Sequence, residues 1–510
     1  MKAFLLYPGQ DVDLAQEFPP HTEDLTRDLE LETLWTAMAG GDTFLFSVAR
    51  AVMLSPVDDP EIILRRQRIL RDCLDNPDMV RAMYGLAVEA IEGERQIWRG
   101  LFNYPDSILH RSVEVLEIFV GILRRLRALT DEHVETVRSD GLTDVFTLLA
   151  KELDDEYFET ISDHLRRLKF PHGVLISAQL GEGNRGTDYV LRSPRPKPTW
   201  RARLSGQRPP TFTFAISDRD EAGFRALSEL RDRGIDQVAN ALAQSCDHIL
   251  NFFRMLRTEL GFYVGCLNLH ERLAAKGEPS CLPVPEAPGT AALTARGMYD
   301  VCLSLSLPDR VIGNDVDADG KSLIMITGAN EGGKSTFLRS VGLAQLMMRC
   351  GMFVPAESLR ASVAVQVFSH YKREEDASLR SGKFDEELAR MSDIADELTP
   401  NSLILFNESF AATNEREGSE IARQIIQALT DRGVTVVFVT HLFDLAHSLY
   451  ARKLDTALFL RAQRRPDGRR TFRLAPGEPT PTSHGEDLYR QVFGGQAESD
   501  PEAESDVTVS

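Results

Sequence analysis

Apolar positions recur at helical spacing through much of the first 170 residues. Val113, Leu116, Val120, Leu123 and Leu126 fall on one face, with Arg124, Arg125 and Arg127 interleaved. This spacing predicts a helix packed on its apolar face, its arginines in solvent. The pattern then changes. Val174-Leu175-Ile176-Ser177 and Tyr189-Val190-Leu191 flank the glycine-rich stretch 181–186, which predicts a β-hairpin. From about 218 to 276 helical spacing returns in one long segment, with Leu227, Leu230, Val238, Leu242, Ile249, Phe252, Phe253 and Leu256 as its buried face. Pro279, Pro283, Pro285, Pro288 and Gly289 end it, and the stretch 277–290 reads as the main domain boundary. Beyond it, Leu323-Ile324-Met325-Ile326-Thr327, Ser402-Leu403-Ile404-Leu405-Phe406 and Val434-Thr435-Val436-Val437-Phe438-Val439 are continuous apolar runs separated by helical segments. Such runs read as apolar strands alternating with helices.

Composition narrows the class. The 510 residues suffice for several domains, and 58 Lys+Arg against 77 Asp+Glu give a formal charge of -19. A protein that coats nucleic acid indiscriminately is thereby excluded. A local basic surface is not, because no acidic residue occurs between 189 and 216. Arg192, Arg195, Lys197, Arg201, Arg203 and Arg208 gather there, in a proline-rich stretch that forbids a helix. Two readings stand: a loop that contacts phosphates, or an exposed solvated loop. The stretch from 496 is acidic and rich in small residues, composed as a disordered tail. The six cysteines form no Cys-x-x-Cys pair, so a zinc or redox site has no support. No apolar run suggests a membrane span or a signal-peptide core, so a cytoplasmic protein with reduced thiols is expected.

The chemistry concentrates after the boundary. The strand 323–327 runs directly into Gly328-Ala329-Asn330-Glu331-Gly332-Gly333-Lys334-Ser335-Thr336, where a helix begins. This is Gly-x-x-x-x-Gly-Lys-Ser between a strand and a helix, the setting a phosphate-binding loop requires. Its glycines let backbone N–H groups close around phosphate oxygens, and the helix N-terminus adds its positive dipole end. Lys334 is placed to reach the β- and γ-phosphates of ATP, and Ser335 to ligate Mg2+.

The strand at 402–406 ends in Asn407-Glu408, where a magnesium ligand and a hydrolytic base belong. Glu408 is the candidate for orienting the attacking water; a capping or salt-bridging Glu is the alternative. Asn407 occupies the usual Asp position and is neutral, which weakens a metal site and makes slow hydrolysis the expectation. His441 follows the strand at 434–440, placed either to polarise a γ-phosphate or to bond a neighbouring loop.

Together these segments resemble the MutS family of ABC-type ATPases. The resemblance rests on the phosphate loop and on Gly313-Asn314-Asp315 before it. It rests equally on Gly351-Met352-Phe353-Val354-Pro355-Ala356 after the loop, the segment 407–418, Thr440-His441 and Ser483-His484-Gly485. It is specific over about 310–495 and general over the first 290 residues. It implies an α/β P-loop ATPase domain at 291–495, after a mainly helical core and lever at 1–290 with a small β insertion and basic loop near 174–214. It implies ATP and Mg2+ as cofactors, pairing into a homodimer through the ATPase domains, and DNA as partner.

The departures from the family pattern are specific. Gly382 stands where the family has Ser two positions before Phe384, leaving Ser381 or Lys383 to reach the γ-phosphate of the opposite subunit. Phe410-Ala411-Ala412 replaces a Gly-Arg-Gly. No Phe-x-Glu precedes residue 300, so a short form without the mismatch-reading N-terminal domain is expected. The implied function is ATP-controlled clamping on distorted, mismatched or branched DNA, with residues 192–208 as the DNA contact. The alternative is an ATP-gated module for a protein or RNA partner.

Overall fold

The computed structural model describes residues 2–19, 21–55, 57–97, 104–171, 173–193, 212–213, 215–217, 219–329, 331–373, 382–464 and 470–480. In chain order the first elements are α1 (His21–Asp28), α2 (Leu31–Ala39), α3 (Thr43–Leu54), α4 (Pro60–Asp75), α5 (Pro77–Gln96), α6 (Pro105–His133), α7 (Asp140–Glu152), α8 (Asp155–Leu168), β1 (Leu175–Leu180), β2 (Gly186–Arg192) and α9 (Glu221–Ala275). After these come β3 (Val284–Glu286), β4 (Leu293–Met298), α10 (Val301–Ser306), β5 (Asn314–Asp317), β6 (Leu323–Thr327), α11 (Lys334–Arg349), β7 (Ser358–Ser362) and β8 (Val367–Tyr371). The last are α12 (Lys383–Glu397), β9 (Leu403–Asn407), α13 (Glu415–Asp431), β10 (Thr435–Val439), α14 (Phe443–Ala451), β11 (Ala457–Arg464) and β12 (Arg470–Pro476). The result is a mixed α/β protein, helical toward its N-terminus, with its larger sheets toward the C-terminus.

The chain divides into two compact units, Met1–Val12 with Arg71–Val264, and Asp13–Leu70 with Gly265–Ser510. The first is helical. Ser139 and Asp154 cap α7 and α8 through side-chain oxygens, and proline opens α5 and α6. The predicted face of α6 is buried throughout, from Val113 to Leu126. Its arginines do more than meet solvent. Arg124 lies over the Phe158 ring at 5.0 Å and donates to Ser162, and Arg125 pairs with Glu89 at 2.6 Å.

The hairpin is β1 and β2, paired antiparallel with Leu175 opposite Arg192. Along α9, Phe252, Phe253 and Leu256 are buried as the spacing predicts. Leu227 and Leu230 are instead 49% and 43% exposed, which corrects the predicted face at that end. Helical spacing buries a residue only where a partner surface lies beside it. The hairpin meets α9 further on, where Gly234 admits the Ile176 side chain and Arg233 lies over Tyr189 at 6.0 Å.

The second unit is built on a six-stranded sheet in the order β12-β11-β6-β10-β9-β8. The strands β11, β6, β10, β9 and β8 run parallel and β12 is antiparallel at the edge. Leu323 to Ile326, Leu403 to Phe406 and Val436 to Val439 are all buried, so these apolar runs are strands covered on both faces. The register sets Val439 beside both Ile326 and Asn407, and Asn407 beside Tyr371. The residues after β6, β8, β9 and β10 therefore share one rim of the sheet. A four-stranded sheet, β3-β7-β4-β5, completes the unit.

Gly351 ends α11 at φ 73, and a Cβ there would stand 2.3 Å from Cβ of the buried Arg66. Both the left-handed backbone and the contact oppose a side chain. Gly351→Ala is expected to lower stability by roughly 2–4 kcal/mol, read as a fall in the denaturation midpoint. An unchanged midpoint would show that Arg66 moves aside without cost.

Candidate functional site

The rim where β6 ends carries the glycine-rich loop. Gly328 has φ 121, and a Cβ on it would lie 2.9 Å from that of Ala462 on β11. Gly332 is equally close to Ala462, at 2.8 Å, and Gly333 turns into α11 with φ 89. Only glycine fits this close approach of the loop to its neighbouring strand. Ala329 is buried, and Asn330 lies outside the described residues. Glu331, at φ 57, pairs with Arg470 at the start of β12.

Lys334 is only 4% exposed and its Nζ donates to the carbonyls of Gly328 at 2.9 Å and Ala329 at 3.0 Å. Burial pushes its ammonium down to about 8, opposed by the carboxylate of Glu408. The next residue, Ser335, donates from Oγ to Oδ1 of Asn407 at 2.8 Å, joining the helix to the end of β9. Glu331, Gly333, Lys334, Ser335, Thr336 and Glu408 line an open cleft of about 390 Å3.

Glu408 follows β9 in a left-handed backbone, φ 55, its N–H bonded to the Val439 carbonyl. Its Oε1 lies 2.6 Å from Nε2 of His441, just past β10. The hydrogen bond from His441 holds the Glu408 carboxyl below its usual range, with help from the nearby positive charges. Two residues 33 apart in the chain thus meet because β9 and β10 are neighbours in register.

Behind this rim lies a cluster that sequence reading did not find. His370 on β8 is fully buried and stacks on Phe410, 5.4 Å between ring centres. Its Nδ1 is 2.8 Å from Oγ of Ser409, and its Nε2 donates to the Glu387 carbonyl at 3.1 Å. Burial lowers its basicity to about 4, so the ring is neutral. Glu387 in turn accepts from the Phe410 N–H at 2.6 Å. The segment after Glu408 is thereby tied to α12, the helix that opens with Lys383. No local motif announces these contacts.

The remaining predicted residues are dispersed. Lys383 is the first residue of α12. Arg192 ends β2, in the other compact unit, and its Nε donates to Ser177 at 2.9 Å. Ser381, Arg195, Lys197, Arg201, Arg203, Arg208, the element at 483–485 and the tail 496–510 lie outside the described residues. Among the described residues no group of three or more His, Cys, Asp and Glu is arranged to hold a metal ion, and no helix is long and apolar enough to cross a membrane.

Comparison with known proteins bears on both regions. Residues 58–276 match the family model described as MutS2 N-terminal domain, and residues 324–473 match MutS domain V. Over 240 residues the chain is 31% identical to MutS protein homolog 4 of Mus musculus, covering 46% of this chain and 24% of that protein. Over 276 residues it is 33% identical to endonuclease MutS2 of Lacticaseibacillus casei, covering 53% and 33% respectively. Over 145 residues it is 34% identical to DNA mismatch repair protein MutS of Chloroflexus aurantiacus, covering 28% and 15%. The matched stretches thus span a third or less of the length of these relatives.

Proposed function

This chain belongs to the MutS family, and from that premise we propose that it is an ABC-type P-loop ATPase whose nucleotide cycle controls its hold on DNA. The observation that carries the reading is the convergence of Lys334, the Ser335–Asn407 hydrogen bond and the Glu408–His441 pair on one rim of a parallel sheet. Ligands of such sheets bind where the strands end at their carboxyl side.

In this reading residues 291–495 form the ATPase domain and the helical region 1–290 carries the DNA contact. The compact unit holding the sheet also takes in residues 13–70. Gly328, Ala329, Asn330, Glu331, Gly332 and Gly333 wrap the phosphates with backbone N–H groups, and Thr336 lines the same cleft. Lys334 leaves its two loop carbonyls to bind β- and γ-phosphate oxygens. Mg2+ would be held by Ser335 and Asn407, both hard oxygen donors and both neutral, and when bound it supplies charge neutralisation on the phosphates. Glu408 orients the attacking water and receives its proton, and His441 holds the carboxylate ionised for that step. Lys383 or Ser381 of a second copy completes the site in a homodimer. The protein works in the cytoplasm.

The DNA contact is assigned to Arg192, Arg195, Lys197, Arg201, Arg203 and Arg208. The ligand is duplex DNA recognised by its distortion, whether a mismatch or a branch, and not by sequence. A panel of homoduplex, mismatched duplex, branched DNA and structured RNA, with and without ATP, tests this. The expected result is preferential binding of mismatched or branched DNA that changes with ATP. Six phosphate contacts would cost about 10^3-fold in affinity between roughly 50 and 200 mM salt. Failure of every DNA to bind overturns the reading, and ATP-dependent capture of RNA alone would move the protein to the RNA-binding alternative.

A further inference from the structure

We propose that Glu387 is a positioning residue for hydrolysis, its buried carboxylate fixing the turn that aims Glu408 into the phosphate cleft. This rests on the reading of Glu408 as the base and adds what holds that base in place.

The turn 408–410 needs holding. Glu408 and Phe410 both adopt left-handed backbone, at φ 55 and φ 63, and neither is glycine. Such conformations are unfavourable for residues with a side chain and persist only where the surroundings over-determine them.

Separate elements supply that constraint. The Glu408 N–H donates to the Val439 carbonyl of β10 at 2.9 Å, which fixes the start of the turn. Ser409 is fully buried, its hydroxyl bonded to the His370 carbonyl on β8 and 2.8 Å from Nδ1 of the same histidine. The Glu387 carboxylate on α12 accepts the Phe410 N–H at 2.6 Å, which fixes the end. Gly418 on α13 presses from another side, where a Cβ would stand 2.3 Å from the Phe410 carbonyl oxygen.

Packing alone does not explain the acid. Glu387 is 6% exposed, and among the described residues its carboxylate forms no ion pair and accepts only that one hydrogen bond. A buried carboxylate with a single partner is unfavourable in itself. Elsewhere α12 meets this core with apolar side chains, Met391 and Ile394. What the acid supplies is a charge-assisted hydrogen bond to the backbone two residues past Glu408.

The consequence separates turnover from binding. Glu408 lines the cleft beside Lys334 and Ser335, and its direction is set by the clamped turn. A catalytic group displaced by about 1 Å loses on the order of 10^2-fold in rate. The phosphates are held by the loop 328–336, which does not include this turn.

Glu387→Met and Glu387→Gln are close in size and differ in whether they offer an acceptor. Single-turnover hydrolysis and equilibrium ATP binding by the full chain read the difference. Glu387→Met is expected to slow hydrolysis by at least about tenfold and to leave the ATP dissociation constant within about 3-fold. Glu387→Gln keeps an oxygen for the Phe410 N–H and is expected to recover the rate to within about 3-fold of the natural chain. Ser409→Ala releases the turn from β8, leaves α12 untouched, and is expected to slow hydrolysis with affinity likewise kept. In a Glu408→Gln background, adding Glu387→Met is expected to change the residual rate by less than about 2-fold, because the carboxylate it positions is gone.

A Glu387→Met variant that hydrolyses ATP at near the natural rate overturns the proposal. So does one whose affinity falls in step with its rate, or a Glu387→Gln variant as slow as the methionine one. Should Glu387→Met fail to fold, Ser409→Ala at near the natural rate overturns it instead. A Glu408→Gln variant with the natural rate overturns the reading of the base itself, a separate outcome.

Discussion

Lys334→Ala is expected to weaken ATP binding by at least about 100-fold, the loss of roughly 3 kcal/mol that charge-assisted hydrogen bonds to phosphate supply. The size follows from where the ammonium sits. It is almost fully buried, and its two acceptors are the Gly328 and Ala329 carbonyls of the loop it must later serve. Alanine removes the cation that binds phosphate and also the tie that holds the empty loop in shape.

The same burial gives a second readout. The ammonium is pushed down to about 8. Below that pH the lysine is charged before ATP arrives. Above it, binding must first restore the proton, so affinity falls by about tenfold per pH unit as pH rises past 8. A direct loss of one ligand group would carry no such slope, and the alanine variant is expected to lose the slope together with the affinity. An alanine variant within about 3-fold of the natural chain at pH 7 would remove the loop from the site. Arginine at 334 separates charge from shape, since it keeps the cation but not its compact reach.

The sequence made this site legible because its chemistry is local. The strand 323–327, the glycines after it and the helix start at 334 occur within a dozen residues, and the structure builds them so. The apolar runs at 402–406 and 434–439 were readable for the same reason, being strands buried on both faces. Contacts between distant segments were not. Nothing in the chain around Glu408 announces His441, and nothing near Ser409 announces His370; both meet through strand register.

The same limit applies to the helical region. Spacing identified α9, yet it assigned Leu227 and Leu230 to a buried face that no described residue covers. It also could not show that residues 13–70 pack with the sheet. That packing depends on single contacts such as Arg349 Nε to the Val57 carbonyl at 3.1 Å, which leave no periodic trace.

Glu408→Gln is the variant expected to separate binding from turnover. Glutamine keeps the shape of the side chain and an oxygen that accepts from His441, so the pair at 2.6 Å has a neutral counterpart. What it removes is the ionised carboxylate, whose protonation is disfavoured first of all by that histidine hydrogen bond. If Glu408 takes the proton of the attacking water, turnover falls by roughly 10^2–10^4-fold, the range of a positioned general base. ATP affinity then stays within a few-fold, and the chain accumulates with ATP unhydrolysed. His441→Ala is expected to fall less, because it leaves the carboxylate in place and only loosens it. A purely structural Glu408 predicts the opposite ordering. Glutamine would then turn over ATP at near the natural rate, while the histidine variant, which breaks the pair, would lose stability and nucleotide affinity together. The two variants measured side by side, for rate and for bound ATP, therefore decide between a base and a brace.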